Sequence, residues 1–166
     1  MTTMASWRDT PEMTDQPLIV LTGPTAVGKS ALALELAARF NGVIIAADSR
    51  TVSRGLDIAT AKPSPAELAQ VRHYLIDVAA PDQEFNLPDF LEQAQAAIAE
   101  AHAGGKIPFL VGGTVQYINA LVEGWQVPRV APSREYREQL EREAAERGSE
   151  ALYAELQGLD PAAAEH

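Results

Sequence analysis

The sequence predicts an α/β fold, a parallel sheet flanked by helices, on three observations. Short apolar runs alternate with segments of helical periodicity along most of the chain. The runs are continuously apolar rather than alternating, as strands buried on both faces of a parallel sheet are. The first run empties into GPTAVGKS, residues 23–30, which matches G-x-x-x-x-G-K-[S/T] between a strand and a helix. Together these give a P-loop NTPase-like sheet.

The elements follow in order. Residues 18–22 (LIVLT) form the first strand, and 30–40 (SALALELAARF) carry apolar residues at helical spacing until Asn41-Gly42 stops them. Residues 43–47 (VIIAA) form a second buried strand that delivers Asp48, Ser49 and Arg50 at its C-terminal end. An irregular, proline-broken stretch over 54–65 precedes a short helix at 66–71 and a third strand at 73–78 (HYLIDV). Pro88 suits the first turn of a long helix that runs through His102 and closes at Gly104-Gly105. Residues 107–111 (IPFLV) form a fourth strand, which runs into Gly112-Gly113-Thr114 and a helix of about ten residues ending near Gly124. After Pro128 the texture changes to charged helices broken at Gly148-Ser149 and again at 159–161. This divides the chain into a disordered leader (1–17), a P-loop α/β core (18–125) and a helical segment (126–166) that reads as the start of an insert domain.

Composition bounds the function. The 166 residues are 46% hydrophobic and 22% charged, as in a globular domain, and no apolar run is long enough to cross a membrane as a helix. There is no cysteine, so thiol nucleophiles, disulfides and Cys-based metal sites are excluded, in keeping with a cytoplasmic setting. The net charge of −10 argues against a broad electrostatic grip on nucleic acid. Residues 131–166 carry 4 basic and 9 acidic side chains and the first 130 carry 9 and 14, so any such contact must be local or completed by other residues.

The phosphate loop is the strongest motif. Gly23, Pro24, Thr25, Ala26, Val27 and Gly28 would let the backbone close around an anion, Lys29 would add a full positive charge, and the Ser30 hydroxyl would sit on a Mg²⁺ bridging the phosphates. A loop of this kind usually holds ATP or GTP, but nothing in it names the group attached to those phosphates. Asp48 reads two ways: a general base across the rim from the loop, or a carboxylate that caps a turn with Ser49. Asp77, at the end of HYLIDV, is a rival acid of the metal-positioning kind. Thr114 reads either as a helix N-cap or as a site residue on the rim where three strand ends meet.

The series GPTAVGKS, IIAADSR-x-V-x-RGLDI-x-TAKP, H-x-LID and GKIPFLVGGT-x-x-Y-x-x-AL-x-EG closely resembles the N-terminal half of the bacterial tRNA dimethylallyltransferases. The resemblance implies transfer of a dimethylallyl group from dimethylallyl diphosphate to the exocyclic amine of an adenine beside the tRNA anticodon, with Mg²⁺ as cofactor. It implies a monomer in the cytoplasm. It implies Asp48, Lys29 and Thr25 as catalytic residues, with Thr25 on the bridging oxygen of the donor, and Asp48, Ser49, Arg50, Thr51, Thr114 and Arg137 as tRNA contacts. This sequence departs from the family's common residues at Thr51 (Gln), Ser53 (Tyr), Ala59 (Gly) and Gln116 (Leu). Family members run well past the length of this chain, so the reading is of a truncated member. Two other readings compete: a P-loop kinase acting on a small acceptor, and an inactive nucleotide-binding remnant.

Overall fold

Four parallel strands make one sheet in the order β1-β4-β2-β3, with β1 at Ile19–Thr22, β2 at Gly42–Ala47, β3 at His73–Tyr74 and β4 at Ile107–Gly112. The computed structural model describes residues 17–24, 26–127 and 133–165; the expected leader, apart from Pro17, lies outside them. Described residues up to 127 form one compact unit and 133–165 form a second.

The strand order sets the site. β4 lies between β1 and β2, so the chain skips a position between its first two strands, and this is where parallel sheets open a crevice. Register does the rest: Thr22 of β1 pairs with Gly112 of β4, and Gly112 pairs with Ala47 of β2. Three strands therefore end on one rung. The approach there is close enough that a Cβ on Gly112 would stand 2.0 Å from the Ala47 carbonyl oxygen, so only glycine fits.

Helices cover both faces. α1 (Lys29–Arg39) buries Ala33 and Ala37 against Ile44, Phe109 and Val111, and the small alanines let it lie close to the sheet. Asn41, at φ 51°, makes the turn out of α1, a left-handed position that asparagine tolerates. On the opposite face α3 (Leu87–Ala103) and α4 (Val115–Val122) pack on Ile45, Ala47 and Leu110, with Phe90 and Tyr117 stacked at 4.1 Å. α3 starts where Asn86 and Asp89 form a reciprocal capping box with Pro88 in the first turn. α2 (Pro65–Gln70) starts the same way, from Ser64 and Glu67.

The third strand is shorter than the run HYLIDV predicts. Only His73 and Tyr74 pair with β2, because Leu75 and Asp77 take positive φ (64° and 56°) and turn the chain away. Beyond that turn the backbone finds a different partner: Asp77 N–H donates to Thr51 O, Ala79 N–H to Val52 O and Arg54 N–H to Ala79 O.

The second unit consists of α5 (Arg134–Arg147), α6 (Ser149–Leu159) and α7 (Pro161–Ala164). Gly148, at φ 84°, breaks the first two apart, and Asp160 caps the third through Ala163 N–H. Tyr153 Oη donates to Ala164 O at 2.9 Å, tying α6 to α7.

Candidate functional site at the aligned strand ends

One residue past the common rung stand Gly23, Asp48 and Gly113. The phosphate loop leaves β1 there and enters α1 at Lys29. Gly28, at φ 86°, occupies the N-cap position with no side chain satisfying the first-turn N–H groups, and no acidic residue follows them. These donors and the positive end of α1 are open to an anion. Ala26 adds a left-handed turn (φ 66°) to the loop. Lys29 Nζ donates to the Pro24 carbonyl oxygen at 2.5 Å, which folds the ammonium over its own loop. Val27 is exposed, and Thr25 lies outside the described residues.

Asp48 is half-buried across the rim, and it uses its groups separately. Oδ1 accepts the Arg50 N–H at 3.0 Å, and the backbone oxygen accepts both Thr51 N–H (3.1 Å) and Thr51 Oγ1 (2.9 Å). The turn-capping reading of Asp48 is therefore realised, with Arg50 as the donor in place of Ser49. It does not exclude the base reading, because one carboxylate oxygen is held and the other is taken by no described residue. Thr51 is 5% exposed, the most buried polar residue described, with its hydroxyl committed to the turn.

Thr114 corrects an expectation. Its hydroxyl makes no cap on α4; it accepts Ser49 N–H at 3.0 Å and lies 3.5 Å from Ser49 Oγ. Thr114 N–H donates to Ala47 O, so the Gly-Gly-Thr turn is laced to the end of β2. Ser49 and Arg50 are exposed on the rim. Arg137 lies on α5 in the second unit, exposed.

These parts open on a cavity of about 180 Å³. Its walls include Ala26, Lys29 and Ser30 from the loop, Asp48 and Thr51 from the end of β2, and Gly112-Gly113. Leu34, Ile44, Ile76 and Val111 form an apolar side. Three polar or charged wall residues were given no role from sequence: Lys62, Glu67 and His73. The signal for Lys62 was available, because it belongs to the TAKP stretch that helped carry the resemblance. Lys62 is 7% exposed and donates to Ser53 O (2.7 Å), Asp57 Oδ1 (2.9 Å) and Asp77 Oδ1 (2.6 Å). Burial alone would lower its pKa, but the hydrogen bonds and charges of Asp57 and Asp77 outweigh it and hold the ammonium above the ordinary lysine value. Asp77 is thus a partner of Lys62 and does not line the cavity. Glu67 is held below the usual carboxylate range by the Ser64 hydroxyl and then by its N–H, with His73 adding charge. His73 Nδ1 sits 2.8 Å from Val71 O, which fixes the proton there and turns Nε2 into an acceptor in the neutral ring.

Among the described residues no cluster of three His, Asp or Glu could hold a metal, and no helix is long and apolar enough to cross a membrane. The donor set is compatible with Mg²⁺ in another way, since that ion takes most ligands from phosphate and water and Ser30, a hydroxyl residue, lines the cavity beside the loop.

The model of the IPP transferase family matches residues 51–166. The chain belongs to that family. Within it, the chain is 58% identical over 148 residues to a tRNA dimethylallyltransferase of Roseiflexus sp. strain RS-1, covering 89% of this chain and 48% of that protein. It is 54% identical over 149 residues to one of Chloroflexus aurantiacus, covering 90% and 50%. The full-length tRNA isopentenylpyrophosphate transferase of Bacillus halodurans superposes with a TM-score of 0.66 at 41% identity, over 90% of this chain and 50% of that one. A eukaryotic dimethylallyltransferase acting on tRNA gives 0.71 at 31% identity, over 90% and 37%. The chain thus spans about half the length of the IPP transferase relatives it matches.

Proposed function

We propose that the chain carries the donor-binding half of a tRNA prenyltransferase, which moves a dimethylallyl group from dimethylallyl diphosphate to the N6 amine of an adenine beside the anticodon. The observation that carries this reading is the common rung, which brings an anion-binding loop and a half-buried carboxylate to two sides of one cavity. The names of the family's relatives support tRNA as the acceptor and dimethylallyl as the group moved.

In the reaction the adenine nitrogen forms a bond to C1 of the allylic chain while the C1–O bond breaks. The electron pair leaves on diphosphate, and the amine loses a proton. The loop N–H groups, the start of α1 and Lys29 stabilise the charge that builds on the leaving diphosphate. The open oxygen of Asp48 accepts the amine proton, and the bond from Arg50 N–H keeps the carboxylate turned to the cavity. Thr25 holds the bridging oxygen. Ser30 would hold a Mg²⁺, which would supply further neutralisation of the diphosphate. The apolar wall of Leu34, Ile44, Ile76 and Val111 excludes water from the allylic end. Ser49, Arg50 and Thr114 form the edge that meets the unstacked adenine, with Thr51 reaching it only from the cavity wall, and Arg137 offers a guanidinium to the RNA backbone. A monomer working in the cytoplasm suits these substrates.

The decisive experiment incubates the chain with labelled dimethylallyl diphosphate, Mg²⁺ and bulk tRNA, with ATP hydrolysis followed in parallel. Label in adenine of tRNA is the expected result. ATP turnover with no label in tRNA would replace this reading with a kinase or NTPase.

A further inference from the structure

Lys62, on the wall of the site, spends the hydrogen-bonding capacity of its ammonium inside the protein. Its ammonium has three N–H donors, and three acceptors converge on it: Ser53 O, Asp57 Oδ1 and Asp77 Oδ1. From there the bonds continue toward the rim. Asp77 N–H donates to Thr51 O at 3.0 Å, and Thr51 holds Asp48 O with both its N–H and its hydroxyl. On the other branch, Ser53 lies in the short parallel bridge with Ala79, flanked by the Arg54–Ala79 and Ala79–Val52 bonds. The backbone around this node is strained, with Ala59, Ala61 and Asp77 all at positive φ (61°, 52° and 56°). Such conformations persist where surrounding bonds over-determine them.

We infer that Lys62 is a positioning residue: through Asp77 and Thr51 it sets the turn that aims the Asp48 carboxylate into the cavity. It touches neither donor nor acceptor. The inference rests on the transfer reading for its kinetic consequence and on the bond network alone for its structural one, so the two can fail separately. A diphosphate held by the loop does not depend on the node, because the Lys62 bonds lead to the end of β2 and to the 77–79 segment, not to α1. Loss of the ammonium should therefore lower the rate of the chemical step and leave donor affinity in place.

The chain has no cysteine, so Lys62→Cys introduces the only thiol. Aminoethylation of that thiol in the unfolded chain, followed by refolding, restores an ammonium on a side chain with sulfur in place of Cγ. Lys62→Cys should bind a non-transferable prenyl thiodiphosphate within about threefold of wild type and lose about 10- to 100-fold in kcat, the size that a misaimed catalytic group produces. Aminoethylation should return most of the loss. Wild-type kcat in Lys62→Cys, a loss confined to donor affinity, or no recovery on aminoethylation would each overturn the inference. Should Lys62→Cys not refold, Asp77→Asn serves: it keeps an acceptor for Lys62 and removes a charge, and a lowered kcat at unchanged donor affinity supports the node while an unchanged kcat overturns it. If the wild-type chain transfers no label, the transfer reading falls. The node is then read by amide exchange: Thr51, Asp77 and Ala79 should exchange faster in Lys62→Cys and recover on aminoethylation while Leu110 stays protected, and unchanged protection at the first three would refute it.

Discussion

Asp48, on the cavity wall, divides its work between two carboxylate oxygens, one fixed by the Arg50 N–H and one taken by no described residue. Replacing it by Asn keeps an acceptor for Arg50 and removes the base. Asp48→Asn should therefore bind the diphosphate analogue as wild type does and lose prenyl transfer by about 100-fold or more; transfer at the wild-type rate would take the base role away from it. Ala59 carries a different kind of information. It sits at φ 61°, where a Cβ is strained and glycine is not. Ala59→Gly should raise the denaturant midpoint, by about 0.5–1 kcal/mol in stability, and a lowered midpoint would show that the loop pays no strain at this residue. Thr51 explains itself at the same scale: a short β-branched side chain can turn back to the Asp48 carbonyl, as it does here at 2.9 Å.

α1 is the element on which anion binding depends. Its first turn has open N–H groups, no acidic residue and Lys29 at its start. Lys29→Ala should weaken binding of dimethylallyl diphosphate about 10- to 100-fold, the worth of one charge-assisted hydrogen bond, as titration calorimetry would measure; equal affinity would remove the loop from the donor site. β4 is the element on which alignment depends. Gly112→Ala would drive a Cβ against the Ala47 carbonyl and should destabilise the core by about 3 kcal/mol or more. Four helices of the core and three of the strands were legible in the sequence because period and capping residues agree, as in Asn86, Pro88 and Asp89 at the start of α3. β3 was legible in place but not in length, because HYLIDV is strand-like residue by residue while the chain reverses at Leu75 and Asp77 and pairs onward with Thr51 and Val52. The cap alternative for Thr114 fails for a similar reason: a threonine before a helix reads as a local cap, and its hydroxyl instead reaches Ser49, 65 residues away.

At the scale of the whole molecule, the loop, Asp48 and the Gly-Gly-Thr turn were legible because each directly follows a strand, whereas the Lys62 node was not, because its acceptors come from loops up to 15 residues away. Two of the wall charges also set how stability responds to pH. Lys62 is raised in the fold, so its contribution is fully present below the unfolded lysine value of about 10.4 and is lost as pH rises through its higher folded value. Glu67 is lowered, so its contribution is present above about 4.3 and is lost as pH falls through its lower folded value. Thermal midpoints against pH should show Glu67→Gln converging on wild type as pH falls through the lowered folded value of the wild-type carboxylate; a gap that persists to the acid end would assign the difference to packing. The common rung of Thr22, Gly112 and Ala47 bears on how the chain can change in length. Adding or removing one residue within β1, β2 or β4 would shift that strand's end by about 3.3 Å against its neighbours and turn its side chains to the opposite face. Insertions between the strands, as in the loop before α3, leave the rung intact. Tolerated length variation should therefore fall in the connections, and the three short strands should behave as a fixed ruler for the reacting groups.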